Sequence, residues 1–123
     1  MTDLARRGLA FPATHAQAFR LYPIERESSF QTRVLKLARL LGWQLQYHTH
    51  DSFRSASGFP DLVLVKPPRC LFAELKADDA PRRLPLEQEA WHDALSRCPG
   101  IEAYVWRPRD WRAIEKILSR RSS

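Results

Sequence analysis

Segments of helical period alternate with segments of strand period along this 123-residue chain, and the alternation predicts an α/β domain ordered helix, three strands, helix, strand, helix. Two further observations point the same way. Pro67-Pro68 separates two apolar runs as the turn of an antiparallel hairpin, and the first two helical stripes end at Gly42 and at Pro99-Gly100, where helices stop.

Taken in order, residues 1–22 mix Arg6, Arg7, Gly8 and Pro12 with scattered apolar residues and read as a loosely held arm. The first helix rests on Phe30, Val34, Leu37, Ala38 and Leu41 at helical spacing. Glu27 and Gln31 fall on the Val34 and Ala38 side of that cylinder, so the acid is expected to face the core. Trp43, Leu45 and Tyr47 then alternate with Gln44, Gln46 and His48, the pattern of a strand whose glutamine side is wet. After a polar loop over 49–57, the run 59–65 and the run 71–76 form the hairpin. Period-two alternation puts Phe72, Glu74 and Lys76 on one face and Leu71, Ala73 and Leu75 on the other. Gln88, Trp91 and Leu95 make the stripe of a second helix, 101–106 alternates as a fourth strand, and Trp111, Ile114, Ile117 and Leu118 form the stripe of a last helix opened by Pro108 and Asp110. The expected organisation is an arm over 1–22, one domain over 23–118 and a basic tail over 119–123.

The length suits one domain with a single core. A net charge of +6, largely arginine, predicts a surface that attracts polyanions, with nucleic acid the first candidate partner. Cys70 and Cys98 form no metal-ligand pattern and read as free thiols in a reducing compartment. No apolar stretch approaches a membrane span and no signal-peptide pattern opens the chain, so a cytoplasmic protein without a membrane partner is expected.

The chemistry lies in the hairpin. Asp61, Glu74 and Lys76 sit inside apolar sequence, and such groups are seldom buried unless paired or bound to a metal. Two carboxylates on neighbouring strands offer hard oxygen ligands to a divalent cation, with the carbonyl of Leu75 as a third and water for the rest. Hydrolysis of a phosphodiester needs an activated water and charge neutralised on the phosphate oxygens, which such a cation supplies; Lys76 can hold the attacking water.

Gly58-Phe59-Pro60-Asp61-Leu62-Val63, then Phe72-Ala73-Glu74-Leu75-Lys76, then Leu86-Glu87-Gln88 leading to Trp91, with Glu27 and Gln31 heading an earlier helix, closely resembles the VRR-NUC family of the PD-(D/E)XK nuclease superfamily. The resemblance spans 27–118. It implies a restriction-endonuclease-like core with a mixed four-stranded β-sheet flanked by helices. It further implies that Asp61, Glu74 and the Leu75 carbonyl bind the metal, Glu27 contributes to that site, Lys76 serves catalysis and Gln88 approaches from the second helix. The cofactor would be Mg2+, with Mn2+ as substitute, and no small-molecule cofactor is implied. Small members of the family, phage and bacterial, act as homodimers on branched DNA including four-way (Holliday) junctions. The implied function is therefore a structure-selective DNA endonuclease, in the bacterial host cytoplasm if phage-encoded.

Other readings stand beside these. Asp61 after Pro60 also suits a turn, Glu74 and Lys76 a surface ion pair, Glu27 a solvated acid in a first helical turn, and Gln88 an ordinary first-turn residue. His48, His50, Arg54 and Ser55, near the Asp61 strand, are candidate phosphate contacts, as are Arg82 and Arg83; each is equally compatible with solvated surface. His48 and His50 lack further zinc ligands nearby. The four tryptophans fall on apolar stripes and are expected in the core. For the whole chain, the alternatives are a flap or single-strand nuclease of the same fold and an inactive DNA-binding module.

Overall fold

The computed structural model describes residues 24–49 and 56–121. The arm and the loop residues His50, Arg54 and Ser55 lie outside them. The order of elements is the expected one: helix α1 (Glu27–Leu40), strands β1 (Leu45–His48), β2 (Leu62–Lys66) and β3 (Arg69–Leu75), helix α2 (Leu86–Ser96), strand β4 (Ile101–Trp106), a 3-10 turn (Pro108–Asp110) and helix α3 (Trp111–Ser119). The strands form one open sheet in the order β1-β2-β3-β4. β1 and β2 pair antiparallel, as do β2 and β3, whereas β3 and β4 run parallel with α2 as the connection, so the sheet is mixed.

Each face of the sheet is explained by the period of its strands. Leu62 and Leu64 of β2, Leu71, Ala73 and Leu75 of β3 and Trp106 of β4 point to one side, where Phe30, Val34 and Ala38 of α1 and Ile114 and Leu118 of α3 complete the core. Trp43 fills the end of this layer and donates its indole N–H to the Leu118 carbonyl at 2.9 Å. Arg69, at the start of β3, is a buried cation that holds this corner. It grips Glu102 through two hydrogen bonds of 2.7 Å, donates to the carbonyls of Ile117 and Arg120, and lies 4.7 Å from the Trp43 ring centre. On the opposite face α2 packs through Trp91, whose ring meets Phe59 edge-on, and Phe59 in turn meets Phe72.

Three details differ from the sequence expectation. In β1 the faces are exchanged: Leu45 and Tyr47 are 65% and 55% exposed, while Gln46 and His48 turn toward α1. The cause is local hydrogen bonding. Gln46 Nε2 donates to the backbone oxygens of Leu35 and Trp43, and the Gln31 amide lies 3.5 Å from His48 Nδ1, so the polar residues tie an edge strand to the helix. Second, β2 begins at Leu62, not Phe59, because Pro60 has no N–H to donate; Thr49 holds this lead-in, its N–H donating to the Asp61 carbonyl and its hydroxyl to that of Pro60. Third, Glu27 is exposed in the first turn of α1, since Phe30, Val34 and Ala38 take the whole buried stripe. Among the described residues no helix is long and apolar enough to cross a membrane, and Cys70 and Cys98 are free thiols.

Candidate active site

The hairpin brings Asp61, Glu74 and Lys76 to one end of the sheet. Asp61 immediately precedes β2, one step beyond the Leu62–Ala73 pair, so continuation of the register sets it opposite Glu74 on the same side. One oxygen of Asp61 accepts the backbone N–H of Leu75 at 2.8 Å, fixing the carboxylate against β3. The other face of β3 carries Leu71, Ala73 and Leu75 into the core. Phe72, Glu74 and Lys76 therefore look the opposite way, as the sequence period requires.

Glu74 is only 6% exposed and makes contact with two charged groups. The Asp61 carboxyl lies beside its own, and Lys76 Nζ stands 3.6 Å from its Oε2. Burial first, and the adjacent Asp61 second, push the Glu74 carboxyl up to about 8, with Lys76 pulling weakly in the other direction. At neutral pH Glu74 thus keeps its proton.

Two structural devices hold the surroundings. Gly58, at φ +82°, is in the left-handed region, and a Cβ there would stand 2.4 Å from the Glu87 carbonyl carbon. Only glycine lets the first turn of α2 seat against the Asp61 lead-in, and Trp91 Nε1 fastens the same region by donating to the Ser57 carbonyl at 3.1 Å. This seats Gln88 with its Oε1 buried and unpartnered among the described residues, an acceptor in need of a donor. The second device is Arg107, a buried residue that sequence reading passed over. Its guanidinium donates to the carbonyls of Ala77, Ala80 and Pro81 at 2.8 to 3.0 Å, and the N–H of Lys76 donates to the Trp106 carbonyl. The loop after Lys76 is pinned by this side chain and, at its exposed edge, by Asp78 Oδ1, which accepts the Arg109 N–H at 3.1 Å. A single arginine between a strand and a proline carries no spacing signal that would have revealed this.

The other expected site residues are placed as follows. Leu75 lies between Glu74 and Lys76, and its amide is committed to Asp61. Glu27 joins no ligand cluster: among the described residues no group of three or more His, Cys, Asp or Glu is arranged to hold a metal, so Asp61 and Glu74 act as a pair. His48 ends β1 opposite Leu62, next to Asp61 in sequence order along β2. Arg82 and Arg83 are exposed, and Arg83 Nε is 3.7 Å from Glu89, a solvated pair of little energetic weight.

The donor set fits a hard divalent cation. The adjacent Asp61 and Glu74 carboxyls are hard oxygen donors of the kind such a cation takes, and magnesium commonly retains water at its remaining positions. No family model, curated protein or solved structure matches the chain.

Proposed function

We propose that the chain is a divalent-cation-dependent DNA endonuclease of the VRR-NUC type, built on a restriction-endonuclease-like core and selective for branched DNA such as four-way junctions. The observation that carries the reading is the convergence of Asp61 and Lys76 on the buried Glu74 carboxyl. The positive net charge supports an anionic polymer as substrate.

Asp61, Glu74 and the Leu75 carbonyl would hold Mg2+ or Mn2+, which when bound neutralises charge on the phosphate and acidifies water. Asp61 offers the oxygen not committed to the Leu75 amide. Glu74, having given up its proton, would be the second anionic ligand. Lys76, held beside Glu74, donates a hydrogen bond to the attacking water and keeps it in line with the phosphorus. Gln88 Oε1 accepts a hydrogen bond from that water or from the nucleotide, which would relieve its unpartnered state. As the water oxygen bonds to phosphorus its proton passes to solvent, the bridging P–O bond breaks, and the departing oxygen takes a proton from solvent. A homodimer would present two such sites for paired cuts across a junction.

A labelled four-way junction incubated with the protein tests the reading. Cutting is expected with Mg2+ and absent in EDTA, while Glu74→Ala and Lys76→Met bind the junction without cutting it. Wild-type binding with no cleavage would instead indicate an inactive DNA-binding module. Equal cutting of junction, flap and single strand would replace junction selectivity with a flap or single-strand activity.

A further inference from the structure

A groove runs along the open edge of the sheet between α1 and β1, and its wall is cationic. Lys36 and Arg39 of α1 face Gln44 and His48 on the β1 side, with the hydroxyl-bearing Thr32 further along the helix. Positions 32, 36 and 39 share one helical stripe by their spacing. Among the described residues no carboxylate lines the groove, and neither Lys36 nor Arg39 has an ion pair. Arg39 is oriented toward the strand: its Nη2 donates to Gln46 Oε1 at 3.4 Å, and Gln44 Nε2 donates to its backbone oxygen at 3.3 Å. The floor is therefore built from glutamine amides that hold the helix and strand at fixed spacing, leaving the two cations presented to solvent.

We infer that this groove is a phosphate track for the backbone of the DNA, carrying the duplex arm that leads to the carboxyl pair; the inference rests on the nuclease reading. Charge is the first argument, since two unneutralised cations without an opposing acid select a polyanion. Size is the second. From Gln44 to His48 the strand covers about 13 Å, and Lys36 and Arg39 are separated by about 4.5 Å of helical rise, a scale that suits two or three successive phosphates. Continuity is the third. The His48 end of the groove pairs with Leu62, and the next residue, Thr49, is hydrogen-bonded to the backbone oxygens of Pro60 and Asp61, so the groove ends at the same end of the sheet as the candidate active site, which lies round the open β1 edge on the opposite face. Amides and hydroxyls alongside the cations are the usual company of sequence-independent phosphate binding.

The test is fluorescence anisotropy of a labelled duplex and a labelled four-way junction, titrated with protein in EDTA across a salt series. Lys36→Glu/Arg39→Glu is expected to weaken binding to both DNAs by at least about tenfold. It should also lower the slope of log affinity against log salt by about 1 to 2, roughly one unit for each phosphate no longer neutralised. Lys36→Gln/Arg39→Gln should give a smaller loss in the same direction. Arg97→Glu, just after α2 on the far side of the sheet, serves as the charge control and should leave affinity within about twofold. If wild type binds and cuts junctions while the groove variants bind as wild type does, or lose no more than the Arg97→Glu control, the phosphate track is wrong and the nuclease reading stands. If wild type binds no DNA at any salt, both fall.

Discussion

Replacing Glu74 by glutamine isolates the energetic cost of the buried carboxyl pair. In the folded chain the Glu74 carboxyl holds its proton up to about pH 8, against an ordinary value of 4.5. The folded state therefore binds this proton more tightly than the unfolded state. Whatever stability the group contributes is complete below pH 4.5 and is lost as pH climbs toward 8. The window is about three and a half pH units, and at about 1.4 kcal/mol per unit the loss is on the order of 5 kcal/mol. That is a large share of the 5 to 15 kcal/mol roughly typical of a domain this size. Glu74→Gln keeps the shape of the protonated acid and cannot ionise. In EDTA the two proteins should be about equally stable at pH 5, and the variant should gain steadily over wild type toward about pH 8.5. Urea unfolding at a series of pH values measures the gap, and because both chains share every other titrating group, such as the Arg-paired Glu25 and Glu102, the difference reports position 74 alone. A gap that stays flat within about 1 kcal/mol from about pH 5 to 8.5 would refute the argument that Glu74 is held neutral by burial and by Asp61.

Further outcomes follow from the same geometry. On the proposed reading a divalent cation displaces the Glu74 proton, so the Mn2+ affinity measured by calorimetry should rise by up to about tenfold per pH unit and level off above about pH 8. Lys76→Met removes the charge that holds Glu74 down, and the midpoint of the pH-dependent stability loss should move upward relative to wild type. Gly58→Ala puts a Cβ against the backbone of α2 and a side chain at positive φ, with an expected loss of at least about 2 kcal/mol in chemical unfolding. Arg107→Met leaves three carbonyls of the 77–81 segment without their donor, which should cost on the order of 3 kcal/mol and open the loop after Lys76 to limited proteolysis.

The element order was legible because each segment keeps one period. Phe30 to Leu41 steps at helical spacing, Phe72 to Lys76 alternates strictly, and Gly42 has the positive φ that a helix-ending glycine supplies. The convergence of Asp61 with Glu74 followed from a hairpin whose turn is marked by two prolines. Hydrophobic period failed where side-chain hydrogen bonds outweighed burial. In β1, Gln46 and His48 turn toward α1, leaving Leu45 and Tyr47 at the surface. Glu27 shows the limit of a helical wheel, which gives the direction of a residue but not whether anything covers the helix at its first turn. Arg69 and Arg107 could not have been read at all. Each serves backbone carbonyls 26 to 51 positions away, and only the folded chain brings those oxygens within reach.

Asp61 has an obligation that Glu74 does not share. One of its oxygens splints the Leu75 amide, so the residue is part of the scaffold before it is part of any reaction. If the chain is the proposed nuclease, a descendant that had abandoned hydrolysis would still be under pressure to keep aspartate, or its amide, at this place, whereas no such backbone tie would restrain drift at position 74. The two acids would thus decay at different rates, and it is the glutamate whose loss would mark a silenced lineage.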